Sequence, residues 1–215
     1  MDWGTLSLPW QRCFELAWES HQEGSNPIGA VVADSSGAIM SEGKSAVRGL
    51  VTGMVTANCE IAHAEINALL GLDNRQHPKL LAKDYVLYAS LEPCPVCFSA
   101  FYMSDLQTLR FAAFDGFAGS INLLGTTPYL SRKPRRCLGP EPALETFSIF
   151  LNVWHDVSQG LPLDDPVHEA MRSDYPRAVA LARETAVAGD PILENAGSVR
   201  EAYDRFLVLE ASSHG

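Results

Sequence analysis

The run Leu87-Tyr88-Ala89-Ser90-Leu91-Glu92-Pro93-Cys94-Pro95-Val96-Cys97 decides the fold. Residues 85–90 read as a strand apolar enough to be central. Residues 93–103 open on two prolines, which suit a first helical turn, and continue as a helix. Before this joint, residues 61–72 are helical, with Ile66, Leu69 and Leu70 at helix spacing and Gly71 near the end. Residues 74–78 make a turn. Further back, residues 8–21 form an amphipathic helix capped by Ser7, with Pro9 in its first turn and Phe14, Leu16, Ala17 and Trp18 on its apolar face. Asn26-Pro27 is a turn. Residues 28–34 and 38–43 are strands joined by the hairpin turn Ser35-Ser36-Gly37, and residues 44–59 show no period and read as a loop. Past the joint, residues 109–114 form a third major strand, 115–119 a glycine-bearing loop and 143–154 an apolar helix. Strands alternating with helices imply a layered α/β domain around a mostly buried sheet.

The 215 residues allow one large domain, or one domain with an appendage. Hydrophobic residues at 47% and charged residues at 20% are globular usage, which excludes a disordered chain. No apolar run approaches the ~18 residues of a spanning helix, and Met1-Asp2-Trp3-Gly4-Thr5 lacks the basic and apolar regions of a secretory signal. The expectation is a soluble, cytoplasmic chain without a membrane partner. Composition changes after about Val157. Residues 158–215 are acidic, offer no good strand and hold helical stretches at 169–188 and 198–211. The expected division is therefore a chemistry-bearing domain over 1–157 and a helical C-terminal extension over 158–215, with the boundary near Ser158-Gln159-Gly160.

The net charge of −10 argues against general nucleic-acid binding by counterion release. One local basic patch, Arg132, Lys133, Arg135 and Arg136 around Pro134, reads as a solvated turn. Five cysteines with irregular spacing are not a disulfide framework. Cys13, Cys137 and Cys59 read as small core residues. Cys94 and Cys97 differ. At i and i+3 on a helical turn both sulfurs can face one point, and a helix N-terminus favours their thiolate form. His63-Ala64-Glu65 opens the other helix, 31 positions earlier. Two thiolates and one imidazole make three zinc ligands and leave the fourth tetrahedral position open, as a catalytic zinc requires. Glu65 is then the general acid/base. His63 and Glu65, two apart, converge only if His63 sits at the helix start.

An H-x-E motif followed by P-C-x-x-C is the signature of zinc nucleobase deaminases. On these residues the chain resembles the cytidine and deoxycytidylate deaminase superfamily, in the branch holding tRNA adenosine, guanine and cytosine deaminases. Further matching segments are Asn26-Pro27-Ile28-Gly29-Ala30-Val31-Val32, Ala62-His63-Ala64-Glu65-Ile66-Asn67-Ala68 and Phe117-Ala118-Gly119-Ser120, so the likeness covers roughly residues 8 to 155. It implies a three-layer α/β/α sandwich with a five-stranded mixed sheet, one Zn2+ held by His63, Cys94 and Cys97, Glu65 as proton shuttle, and a homodimer. The residues read as substrate contacts are Ser45, Ala64, Phe114 and Asp115, the last two in a segment that departs from the family pattern. The family often places an asparagine just after the second strand, and Ser45 stands there. Phe114 and Phe117 could stack on a flat ring, or both be core, and Asp115 could accept from a base amine or ring N–H. Glu92 reads as a loop anchor.

The leading expectation is hydrolytic deamination of a small nucleobase, nucleoside or related heterocycle. The alternatives are a tRNA adenosine deaminase touching RNA through Arg132–Arg136, a non-catalytic zinc-binding protein of the same fold, and a thiol redox protein built on Cys94-x-x-Cys97. Ammonia release, inosine formation and stoichiometric zinc separate them. His21, His77, His155, His168 and His214 have no partners at ligand spacing and read as structural or surface histidines. Trp3, Trp10, Trp18 and Trp154 read as packing residues.

Overall fold

The structure, a computed structural model, describes residues 2–212, without the side chains of Lys79 and Leu80. His214 and the last residues of the expected extension lie outside the described residues. A short 3-10 turn at Trp3–Thr5 precedes helix α1 (Leu8–Gln22). Strands β1 (Gly29–Ala33) and β2 (Ile39–Lys44) follow as a hairpin, bulged where Ala33 pairs Ile39. After a long loop come α2 (Ala64–Leu70), the single turn α3 (Lys79–Ala82), β3 (Val86–Ala89), α4 (Pro95–Met103) and β4 (Thr108–Phe111). A second 3-10 turn, Ile121–Leu123, precedes β5 (Arg136–Leu138) and α5 (Glu145–Ser158).

These strands form one mixed sheet in the order β2-β1-β3-β4-β5. β1 runs antiparallel to both β2 and β3, whereas β3, β4 and β5 are parallel. Alternation along each strand separates two cores. Ala30, Val32, Leu87 and Leu109 face α2 and α4, packing with Ala64, Ala68 and Phe101. Val31 and Tyr88 face α1 and α5, packing with Phe14, Phe147 and Phe150. The result is the α/β/α sandwich around a five-stranded mixed sheet that the sequence implied.

β5 is a difference from the sequence reading. Three residues are too short to display a period, and these three sit in the basic, proline-broken stretch. The basic patch is a solvated turn only in part: Arg132 and Arg136 are exposed, whereas Lys133 and Arg135 are engaged. Lys133 Nζ donates to the carbonyls of Tyr102, Met103 and Ser104, and Arg135 donates to those of Tyr102 and Ser104. Two cations thus satisfy the free carbonyls at the C-terminus of α4, where the helix dipole also favours positive charge. The Ser7 side chain makes no capping bond; its carbonyl instead accepts from Trp10 and Gln11.

The remaining helices are α6 (Pro166–Asp174), α7 (Pro176–Ala188), α8 (Pro191–Glu194) and α9 (Val199–Ser212). The expected 169–188 stretch is split because Pro176 cannot continue a helix through Tyr175. Val179 and Ala182 of α7 and Tyr203 and Phe206 of α9 are buried in the core that holds α1 and α5. The Tyr203 ring meets Trp3 at 5.4 Å and Phe147 at 5.0 Å. Chain after Gly160 therefore completes an apolar layer outside α1 and α5. Among the described residues, no helix is long and apolar enough to cross a membrane.

The placement of α2 depends on Gly43. A Cβ there would sit 2.1 Å from the Ala64 carbonyl and 2.4 Å from the Ala68 nitrogen. Only glycine lets the first turn of α2, which carries the H-x-E motif, lie directly on the β2 backbone.

Candidate active site

Both metal motifs sit at helix starts. His63 is the residue before α2, with extended backbone (φ −78°, ψ 156°), and Cys94 precedes α4 in the same way (φ −68°, ψ 173°). That non-helical residue solves the spacing problem: His63 leaves the helical path, so its ring and the Glu65 carboxyl converge from two positions apart. The Nδ1 of His63 lies 3.4 Å from the Sγ of Cys94 and 3.4 Å from the Sγ of Cys97.

Among the described residues this is the one group of three donors close enough to share an ion, with all ligand atoms within 4.8 Å of one another. Tetrahedral zinc with Zn–N and Zn–S bonds of about 2.1 and 2.3 Å sets nitrogen and sulfur about 3.6 Å apart. The observed spacing matches without rearrangement, and the donor set fits one Zn2+.

The electrostatics agree. A hydrogen bond from Cys97, with His63 adding a second, pulls the Cys94 thiol down to about 4. The same bond to Cys94, together with burial, pushes Cys97 up. Contact with Cys94 raises His63. Glu65 is 4% exposed, its Oε2 accepts from the Cys97 thiol at 3.3 Å, and burial pushes its carboxyl above the usual range.

A cavity of about 280 Å³ opens over this cluster. His63, Ala64, Glu65 and Cys94 form its chemical end, and Ile28, Val47, Leu91 and Ala118 supply apolar wall. Asp115 closes another side. Its Oδ1 accepts from the N–H groups of Phe117 and Ala118 at 2.9 and 3.0 Å, and burial raises its carboxyl. Glu92 anchors this loop: its two oxygens take the N–H groups of Asp115 at 3.2 Å and Ile121 at 3.1 Å. Ala64 opens α2, so its N–H has no intrahelical acceptor.

Of the residues expected from the sequence, His63, Ala64, Glu65, Cys94, Ser45 and Asp115 line the cavity, and Cys97 joins from beneath. Phe114 does not reach it. Its ring packs edge-on against Phe111 at 5.2 Å, because the strand ends at Phe111 and the following turn directs Phe114 away. Phe117 is 59% exposed and also lies outside the wall. Cys59 is exposed rather than core, since the loop carrying it runs over the surface. Cys13 is buried as expected, and its thiol donates to the Gly29 carbonyl. His21 pairs with His155, His168 with Asp156 and His77 with Tyr85, all away from the cavity. Asn26, Arg48 and Glu60 also line the cavity. Glu60 is a carboxylate flanking the first motif, whereas sequence gives no site signal for Arg48 and only a turn signal for Asn26.

Residues 7–113 match the family model for the cytidine and deoxycytidylate deaminase zinc-binding region. The chain belongs to the cytidine and deoxycytidylate deaminase superfamily. It is 35% identical over 108 residues to a guanine deaminase of Bacillus subtilis, covering 48% of this chain and 61% of that protein. It is 36% identical over 108 residues to a tRNA-specific adenosine deaminase of Haemophilus influenzae, covering 50% of this chain and 57% of the other. The match thus spans about three-fifths of each relative. A solved guanine deaminase from Nitrosomonas europaea superposes with a TM-score of 0.54 at 24% identity, over 71% of this chain and 86% of that one, a likeness of fold. In this superfamily setting the His63, Cys94 and Cys97 cluster is a zinc site.

Proposed function

We propose that the chain is a zinc-dependent hydrolytic deaminase that releases ammonia from the exocyclic amine of a small nucleobase, nucleoside or related heterocycle. One observation carries the reading: a buried carboxyl with a raised pKa and three zinc ligands share the end of a cavity sized for a small ring.

Zn2+, when bound, supplies Lewis acidity that lowers the pKa of a water to about 7. Glu65 would take one proton from that water and pass it to the ring nitrogen as the oxygen joins the amidine-like carbon; it would then take the remaining proton of the added hydroxyl and pass it to the amine, which leaves as ammonia while the carbon keeps the oxygen as a carbonyl. Its burial suits this exchange, because a carboxyl shifted toward neutral pH both takes and gives a proton readily. Ala64 N–H and the Asp115 carboxyl orient the ring from the side, and the apolar wall formed by Ile28 and Leu91 excludes water.

The small-substrate form of the reading is supported by the cavity volume, by the net charge of −10 and by the engagement of Lys133 and Arg135 with α4 rather than with solvent. The test is ammonia release by zinc-loaded protein from a panel of purines, pyrimidines and their nucleosides. Turnover of one or more is expected. Silence across the panel, with inosine formed in an anticodon stem-loop, would replace it with the tRNA reading. A homodimer belongs to the same proposal through the family, and sedimentation analysis tests it.

A further inference from the structure

The turn before β1 puts Asn26 on the wall of the cavity opposite no protein partner. Its main chain is pinned: the Asn26 carbonyl accepts from Ser20 Oγ at 2.7 Å and from Ile28 N–H at 2.7 Å, and Pro27 fixes the next backbone angle. Its side-chain amide makes no hydrogen bond to any described residue. Half-buried polar groups beside a cavity normally find a partner, and an amide without one, carried on a pinned backbone, keeps two donor hydrogens and an acceptor oxygen for whatever enters.

Ser45, which stands where the family often has its asparagine, is differently placed. It is 3% exposed, and its hydroxyl shares a hydrogen bond with Ser25 Oγ at 3.1 Å. Ser25 Oγ in turn receives the Arg48 N–H at 3.4 Å. The Ser45 hydroxyl is therefore engaged in holding the wall together, and its carbonyl is engaged by Ser20 Oγ at 2.8 Å.

We infer that Asn26, rather than Ser45, is the specificity-determining amide of this site, and that it reads a lactam edge, a ring carbonyl beside a ring N–H. The inference rests on the deaminase reading of the cavity. Asn26 Nδ2 donates to the carbonyl and Oδ1 accepts from the adjacent N–H. Ala64 N–H offers a further donor and Asp115 a further acceptor, so the wall as a whole presents both kinds of group. A 6-oxopurine or 2-oxopyrimidine offers both on one edge. Adenine, once its amine-bearing carbon faces Glu65, has no ring carbonyl to give.

Calorimetric titration of the zinc-loaded full chain tests this in a Glu65→Gln background, which prevents turnover. The probes are hypoxanthine and uracil, which carry the lactam, and adenine, which lacks it. The parent is expected to bind at least one lactam probe more tightly than adenine. Asn26→Ala should weaken lactam binding by roughly ten- to hundredfold, the scale of losing paired hydrogen bonds in a closed site. Ser45→Ala should change it less than about threefold. Asn26→Asp preserves size and the acceptor while losing the donor, so it should lower the ratio of lactam to adenine affinity about tenfold or more, a change that general loosening of the turn would not produce. Zinc content and far-UV spectra should match the parent throughout, and Asn26→Asp serves if Asn26→Ala does not fold. Equal losses from Ser45→Ala and Asn26→Ala, an unchanged affinity ratio in Asn26→Asp, or a parent that binds none of the probes overturns the inference. A Glu65-intact enzyme that binds a lactam through Asn26 yet releases no ammonia from the panel overturns the deaminase reading alone.

Discussion

The hydroxyl of Tyr175 accepts the backbone N–H of Phe114 at 3.1 Å. Tyr175 lies at the junction of α6 and α7, and Phe114 immediately precedes Asp115 on the cavity wall. A second contact runs beside it. A Cβ on Gly116 would lie 2.7 Å from the Ala170 carbonyl, so α6 packs directly on the loop backbone. The acidic C-terminal helices thus brace from outside the same loop that Glu92 holds from inside. Tyr175→Phe should cost about 1 kcal/mol of stability, the usual worth of one hydrogen bond. Its larger signature should be a several-fold rise in KM with kcat nearly unchanged, measured by steady-state kinetics on whichever heterocycle the screen identifies. An unchanged KM would show that the loop does not need this brace.

Glu65→Gln keeps the shape of the side chain and removes its proton traffic. Zinc stoichiometry and thermal midpoint should remain near those of the parent, while kcat falls by about 10²- to 10⁴-fold, the range of general acid–base contributions. Residual activity close to the parent's would mean that another group moves the protons.

Removal of the ion should be felt by the whole fold. His63 and the two cysteines tie the start of α2 to the start of α4, and a ligand that binds only the folded chain stabilises it by mass action. Chelation, or Cys97→Ser, should lower zinc content measured by plasma spectrometry and lower the thermal midpoint together. A midpoint indifferent to zinc content would contradict this coupling.

The His21–His155 pair should set part of the acid sensitivity. Their Nδ1 atoms are 2.7 Å apart, so at least one ring must be neutral for one nitrogen to accept. Burial first, and His155 second, lower His21 from 6.5 to about 4, and burial lowers His155 as well. In this window the unfolded chain binds protons that the folded chain refuses, so stability is full above pH 6.5 and declines as pH falls towards 4. With partial exposure of His21 taken into account, the loss is on the order of 2 kcal/mol. Thermal melts of the parent and His21→Gln across pH 7.5 to 4.5, at constant zinc occupancy, should show a shallower decline in the variant. Parallel curves would exclude the pair as the cause.

Arg135→Ala should remove the hydrogen bonds that end α4. A loss of roughly 1–2 kcal/mol is expected, since the donor is charged, while Lys133 Nζ still serves the carbonyls of Tyr102 and Ser104 and limits the cost. Chemical denaturation measures it. A change confined to RNA affinity, with stability intact, would instead favour a nucleic-acid role for this stretch.

Much of the architecture was legible because its signals are local and strong. β1 is a run of five buried residues between a proline turn and a hairpin turn, and α1 repeats Phe14, Leu16, Ala17 and Trp18 on one side. The zinc ligands were legible because cysteines at i and i+3 beside a proline have few other uses. What escaped depends on distant partners. β5 exists because β4 offers an edge to pair with, not because Arg136-Cys137-Leu138 has strand character. The destination of Lys133 and Arg135 depends on where α4 ends, some thirty positions away in the chain. Whether Phe114 stacks on a ligand or packs in the protein depends on where β4 ends, which aims it at Phe111, and the side-chain freedom of Asn26 is visible only once its neighbours are known not to claim it.

Gly43 lets α2 rest on bare sheet backbone, and the reacting end of the cavity inherits that rigidity. The segments that frame its other sides, the turn at Asn26 and the loop at Asp115, hang from separate places. Drift in those two segments could retune which molecule is accepted while leaving the chemistry untouched, so relatives with one shared reaction centre and diverging preferences are the natural descendants of such a scaffold.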